Sequence, residues 1–437
     1  MRFRSTRDPD HIVGFLEAVT RGLAPDGGLY QPVGEFSLKQ AILDWSGQTS
    51  FQELAVRAAD IVLGEDFSRE EIEELVVEAF PFSPRLRELT SNLFVLELFH
   101  GPSCAFKDFG ASFLANVMER RLAHRNEHSI ILTATSGDTG SAVAEAFYGK
   151  QNVDVVILYP SGRVSPLQEM QLTGRGGNVH ALEVHGSFDD CQRLVKEAFR
   201  DNEVRSALPV TSANSINVGR LLPQAFYYLY GFTQIKERHP AKLFYTVPSG
   251  NFGNLTAGVF AWSWGLPVTS FVAATNANDT VPRYLLSGSY EPRPSVRTLS
   301  NAMDVGDPSN FERLDALFPT GWKAMSALIR GESVTDEETT DAIRRWHDRT
   351  GVFLDPHTAT GVVAAERLGA SSFADLAVNL VLGTAHPAKF GDIVTEATGT
   401  EPPMPPQLAA ALKRTKHATV ISKDYEELRA FLMDTFG

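Results

Sequence analysis

The residue best placed for covalent chemistry is a lysine in the run His100-Gly101-Pro102-Ser103-Cys104-Ala105-Phe106-Lys107-Asp108-Phe109-Gly110. Lys107 falls where an apolar, strand-like run (93–98) gives way across a short loop to a helical pattern opening at Asp108. The ordinary reading of one lysine is a solvated surface charge, because lysine is rarely buried without a partner. Here Phe106 and Phe109 bracket the amine with apolar surface. Desolvation disfavours the ammonium form, so such a lysine gives up its proton more readily and becomes a nucleophile toward aldehydes.

Four other windows carry polar groups, three of them after a predicted strand and one, 214–220, before a helix. Ser249, Gly250, Asn251, Phe252, Gly253 and Asn254 follow an apolar strand and precede a helix. Glycines let the backbone curl so that amides converge, and the helix N-terminus adds its positive end, which together suit a phosphate. An ordinary strand-to-helix turn is the alternative. Thr135, Ser136, Gly137, Asp138, Thr139 and Gly140 offer hydroxyls and amides at another helix start, suited to a carboxylate or phosphate or to simple N-capping by Asp138 or Thr139. The run from Asn214 and Ser215 to Arg220 ends in a guanidinium that can fork two donors onto an anion or lie exposed in a first helical turn. Finally, Thr384 ends a buried-looking strand, where a hydroxyl can bond a ring nitrogen without charging it. Lys389, five residues on, either neutralises an anion or projects to solvent.

Several familiar sites are missing. There is no G-x-x-x-x-G-K-[ST] and no G-x-G-x-x-G, which argues against a P-loop NTPase and a dinucleotide fold. H-E-x-x-H, EF-hand and nucleophile-elbow patterns are absent too.

The elements that must position these windows alternate. From Leu93, short apolar runs (130–132, 153–158, 179–184, 243–247, 268–273, 377–382) are interleaved with helical patterns (140–148, 166–172, 189–199, 254–264, 358–368). That rhythm predicts βαβ units and parallel sheets. The first ~90 residues read mostly helical, with Ile12, Phe15, Leu16, Val19 and Leu23 at helical spacing and Asp26-Gly27-Gly28 as a turn. Ser68 with Glu71, and Thr335 with Glu338, are capping boxes. Residues 287–310 read as loop and 424–436 as a terminal helix.

Length and charge bound the class. The 437 residues suggest about two or three domains. Net charge is -13, a field that repels nucleic acid and anionic membrane, so an anionic substrate needs a local basic site. Two cysteines, Cys104 and Cys191, are too few for a disulfide framework and lack zinc spacing, so no metal is expected. No apolar run reaches spanning length and the N-terminus has no apolar signal core, so a cytoplasmic protein is the expectation.

In order and spacing, these windows resemble the threonine synthase family, as do residues 22–30 and 306–310. The resemblance implies an α/β protein of fold type II among pyridoxal 5′-phosphate (PLP) enzymes, similar to the tryptophan synthase β-subunit. That means two parallel-type αβ domains plus a helical N-terminal region, of the N-terminally extended enterobacterial and fungal type. The expected division is 1–90 for that region, 91–114 with 226–437 for the large domain, and 115–225 for a smaller domain that closes over the substrate. The resemblance places Lys107 as the lysine that bears PLP as a Schiff base. It places 249–254 as the cofactor-phosphate cradle and Thr384 as the pyridine-nitrogen partner. Thr135, Ser136 and Thr139, with Gly137 and Asp138 between them, resemble the loop on the substrate carboxylate, and Asn214, Ser215 and Arg220 the grip on the substrate phosphate. Asp138 stands where many relatives carry an asparagine facing the phenolic oxygen of PLP, and a carboxylate there would repel a phenolate unless a proton is shared.

The implied reaction converts O-phospho-L-homoserine and water to L-threonine and phosphate by γ-elimination and β-addition of water, in a chain expected to be a monomer rather than a homodimer. The alternatives are a PLP-dependent dehydratase or phospholyase releasing a 2-keto acid, which Arg220 disfavours for a plain hydroxyl substrate, and a PLP-binding regulatory protein without turnover.

Overall fold

Continuous apolar runs need cover on both faces, and the helices between them supply it. The computed structural model describes all residues except 35–36, 136, 239–241 and 370–376. Among the described residues, the first sheet has six strands in the order Ile329–Ser333, Ser270–Thr275, Lys242–Pro248, Ala377–Gly383, Leu93–Glu97 and Arg85–Thr90. Neighbours run parallel except the last pair. A second sheet of five parallel strands runs Thr419–Ile421, Val179–Val184, Val153–Pro160, Ser129–Ala134 and Val210–Thr211. Every residue of Leu93–Glu97, Ser129–Ala134 and Ser270–Thr275 is buried, which is why the apolar residues in these strands run on without alternating with exposed polar ones. Both capping boxes form, and they start the helices Arg69–Ala79 and Asp336–Thr350.

Two regions differ from the reading. The first ~90 residues hold helices, such as Phe51–Leu63, but also an antiparallel sheet of Arg2–Ser5 with Ile12–Gly14 and Tyr30–Val33. Ile12 belongs to that sheet and is 45% exposed; the helix begins at Phe15, whose ring packs 5.5 Å from Phe3. Strands of three or four residues are too short to print a period of two on the sequence. The tail, read with 226–437, joins the second sheet instead: Ile421, Leu428 and Leu432 share a core with Ile130, Leu132 and Leu194.

Candidate active site

Each window singled out lies just past the carboxyl end of a parallel strand. Lys107 follows Leu93–Glu97, 135–139 follow Ser129–Ala134, 212–220 follow Val210–Thr211, 249–254 follow Lys242–Pro248, and Thr384 follows Ala377–Gly383. Strands of one direction gather these ends on one rim, where open α/β sheets bind ligands. Both rims face a single cleft of about 3120 Å³ whose lining includes Lys107, Asp138, Arg220, Asn254, Thr384 and Lys389.

Lys107 is the first residue of the helix Lys107–Arg125. A backbone ladder fixes it beside Thr384: Phe106 N–H donates to Thr384 O at 2.9 Å, Ala105 bridges Ala385, and His386 N–H donates to Cys104 O at 3.0 Å. Its amine has no hydrogen bond among the described residues and stands 5.9 Å from the Phe106 ring centre. Burial pushes the amine down to about 8; Asp138 opposes that, while Lys389 and Arg220 add to it. Phe109 does not bracket it. Two residues along a helix point in different directions, and Phe109 packs into the core against Phe82 and Tyr227.

The 249–254 loop has the strained shape of a cradle. Phe252 takes φ 60°, uncommon for a non-glycine, and opens the helix Gly253–Ser263. A Cβ on Gly250 would lie 2.6 Å from Met303 Cα, so only glycine fits. Among the described residues nothing accepts from the Asn251, Phe252 or Gly253 amide, as expected of a free helix N-terminus. Asn254 accepts from the Tyr227 and Tyr228 hydroxyls at 2.6 and 2.9 Å through Oδ1, while its Nδ2 is buried without a partner. The Ser249 hydroxyl instead donates back to Val247 O at 2.8 Å.

Asn251 joins this cradle to the next window. Its Nδ2 donates to Ser215 Oγ at 3.0 Å, and Ser215 Oγ also accepts from Asn310 Nδ2 at 3.0 Å. Asn214 Oδ1 accepts from the Thr133 hydroxyl. Arg220 is 2% exposed, not a surface group: Nη1 donates to Ala213 O at 2.5 Å, Nε has no partner, and burial pushes the group down to about 10. It has no carboxylate ion pair among the described residues. Behind it, Arg313 is fully buried and donates to Tyr30 O at 2.9 Å, Ser215 O at 3.3 Å and Ile216 O at 2.8 Å. Arg313 went unread because one arginine in a short helical stretch looks like any solvated charge.

The 135–139 loop is only partly turned to the cleft. Thr135 Oγ1 accepts from the Gly137 and Gly140 amides at 3.0 and 2.9 Å and donates to Gly137 O, so it shapes the loop from within. Gly137, at φ 142°, precedes the helix Asp138–Phe147, so Asp138 is not its N-cap. Ser136 lies outside the described residues. Thr139 and Asp138 line the cleft; Thr135 and Gly137 do not. The Asp138 carboxylate accepts from Lys389 Nζ at 2.9 Å and Gln168 Nε2 at 3.2 Å. Burial alone would raise it, but Lys389 and Lys107 hold it well below the usual carboxylate range. Lys389 therefore neutralises an anion within the chain. Sequence reasoning could not find this pair, whose members meet only across the cleft.

Thr384 is 6% exposed and its hydroxyl has no partner. Buried polar atoms are normally paired. Thr384 Oγ1, Asn254 Nδ2 and Arg220 Nε are three exceptions in one cleft with an unpaired amine. A phosphate-bearing aldehyde with a ring-nitrogen acceptor fits that set.

Three family matches cover nearly the whole chain: "Threonine synthase N terminus" over residues 2–80, "Pyridoxal-phosphate dependent enzyme" over 76–383, and "Threonine synthase, C-terminal" over 358–432. The threonine synthase of Serratia marcescens is 42% identical, with 99% of each chain covered. A PLP-bound threonine synthase crystal structure from Brucella melitensis matches with TM-score 0.92 at 38% identity, over 100% of this chain and 99% of that one. The Escherichia coli threonine synthase structure matches with TM-score 0.89 at 41% identity, over 99% and 100%.

Proposed function

The chain belongs to the threonine synthase family, and from that premise we propose that it converts O-phospho-L-homoserine and water to L-threonine and phosphate with PLP as cofactor. When bound, the cofactor supplies the electron sink that makes protons near the amino carbon removable. Lys107 anchors the cofactor aldehyde. With substrate in place, the freed Lys107 amine would carry protons to and from Cα and the carbons beyond. The free amides of Asn251, Phe252 and Gly253, with Asn254 Nδ2, would hold the cofactor phosphate, and the Thr384 hydroxyl would offer the ring nitrogen a neutral donor that leaves it uncharged. Thr139, together with Ser136, receives the substrate carboxylate, in a loop whose shape Thr135 holds from within. Arg220, with Asn214 and Ser215, grips the substrate phosphate, whose charge grows as its carbon–oxygen bond breaks. Water then adds at Cβ.

The observation that carries this reading is Arg220, a buried guanidinium without a carboxylate in the same cleft as Lys107. A substrate with only a hydroxyl would leave it uncompensated. The reading keeps the expectation of a monomer in the cytoplasm; among the described residues no helix is long and apolar enough to cross a membrane. The smaller unit, 115–225 with the C-terminal strand and helix added, closes over the substrate. The test mixes protein, PLP and phosphohomoserine. Threonine and phosphate in equal amounts are expected, and 2-ketobutyrate in place of threonine would move the assignment to a phospholyase.

A further inference from the structure

Two ammonium groups share the cleft with one carboxylate. Asp138 lies within electrostatic reach of both Lys107 and Lys389, yet Oδ1 bonds Lys389 at 2.9 Å and Lys107 has no such bond. The outcome is decided by preorganisation. The Lys389 side chain is fully buried, its Nζ also donates to Ser103 O at 2.8 Å, and its Cα sits in the short helix Pro387–Phe390. Gln168 Nε2 takes the same carboxylate oxygen from a third element, the helix Pro166–Thr173. The other titratable groups facing this cluster are Arg220 toward Lys107, His357 toward Asp138, Asp108 and His386 toward Lys389, and the Cys104 thiol toward both Lys389 and Asp138.

We propose that Lys389 is a positioning residue that keeps the Asp138 carboxylate from capturing Lys107, leaving the Lys107 amine free for an incoming aldehyde. The proposal rests on the functional reading above, in which Lys107 carries the cofactor. An amine paired with a buried carboxylate is held as ammonium, and an ammonium has no lone pair to attack a carbonyl carbon. Without Lys389, Lys107 would be the strongest cationic influence left on Asp138. The downward push of Lys389 on Lys107 has the same sign.

The experiment follows capture of PLP by full-length, cofactor-stripped protein through its visible absorption across about pH 6 to 10. Reduction and peptide mass mapping assign the labelled lysine. Wild type should capture PLP on Lys107 with a midpoint near 8. In Lys389→Met the midpoint should rise by about one pH unit, so capture near neutrality slows about tenfold. Lys389→Arg keeps the charge and should stay near wild type. The double variant Asp138→Asn/Lys389→Met removes both charges and should return most of the way, whereas Asp138→Asn alone should move the midpoint down. An unmoved midpoint in Lys389→Met, or a double variant displaced as far as the single, overturns the proposal. If Lys389→Met does not fold, Lys389→Gln, neutral but still able to donate to Ser103 O, takes its place: a raised midpoint supports the proposal and an unmoved one overturns it. Wild-type label on a lysine other than Lys107 would instead overturn the functional reading beneath it.

Discussion

At the Lys107 end of the cleft the buried Asp138 carboxylate is bonded to a cation of the chain; at the Arg220 end, among the described residues, the buried guanidiniums have no carboxylate partner. Asp138 and Lys389 form a buried pair, and a third group, Gln168, completes it. Arg220 has only a backbone carbonyl and a free Nε, and Arg313 behind it is satisfied by carbonyls and the Asn310 side chain, without a carboxylate. A buried charge without a counter-charge is costly unless a ligand supplies one. The difference assigns the two ends different work: the first sets the state of an amine, the second waits for an anion.

Breaking the first end should have the largest effect. Lys107→Ala should lower turnover by about 10³-fold or more and abolish the cofactor's absorption shift on binding; full activity would remove Lys107 from the chemistry. The second end should fail differently. Arg220→Met should cost about a hundredfold in kcat/KM for phosphohomoserine, measured by steady-state kinetics, while PLP affinity stays near wild type. Equal losses in substrate and cofactor binding would show that the two ends are not separate. Gly250→Ala tests the cradle between them. Its Cβ would meet Met303 Cα at 2.6 Å and Ala302 O at 2.9 Å, backbone atoms that cannot swing aside. The Kd for PLP, read by equilibrium dialysis, should rise about tenfold. Thr384→Val is the mildest change, since it deletes one neutral hydrogen bond; kcat should fall by about fivefold, with the substrate KM little changed.

How much of this was legible follows from the distance over which each signal acts. Strands such as Ser129–Ala134 announce themselves because burial on both faces favours consecutive apolar residues, here Ile130 to Leu132. The polar loops after them are equally local, so Lys107, Asn254, Arg220 and Thr384 could be singled out from their own windows. Short strands were not legible: Arg2–Ser5 pairs with Tyr30–Val33, and Thr419–Ile421 with Val179–Val184, far along the chain. Burial of single charged residues was not legible either. Arg313 and Lys389 look like surface charges until the fold closes around them, and Thr135 looks free until the Gly137 and Gly140 amides turn to it. Local chemistry was readable, and its electrostatic neighbours were not, because they arrive from other elements.

The division of labour between the two cleft lysines is tested most directly by reducing the PLP-loaded protein with borohydride, digesting it and mapping the cofactor by mass. The account predicts label on the peptide containing Lys107 and none on that containing Lys389. Label on Lys389, or shared between the two, would contradict it.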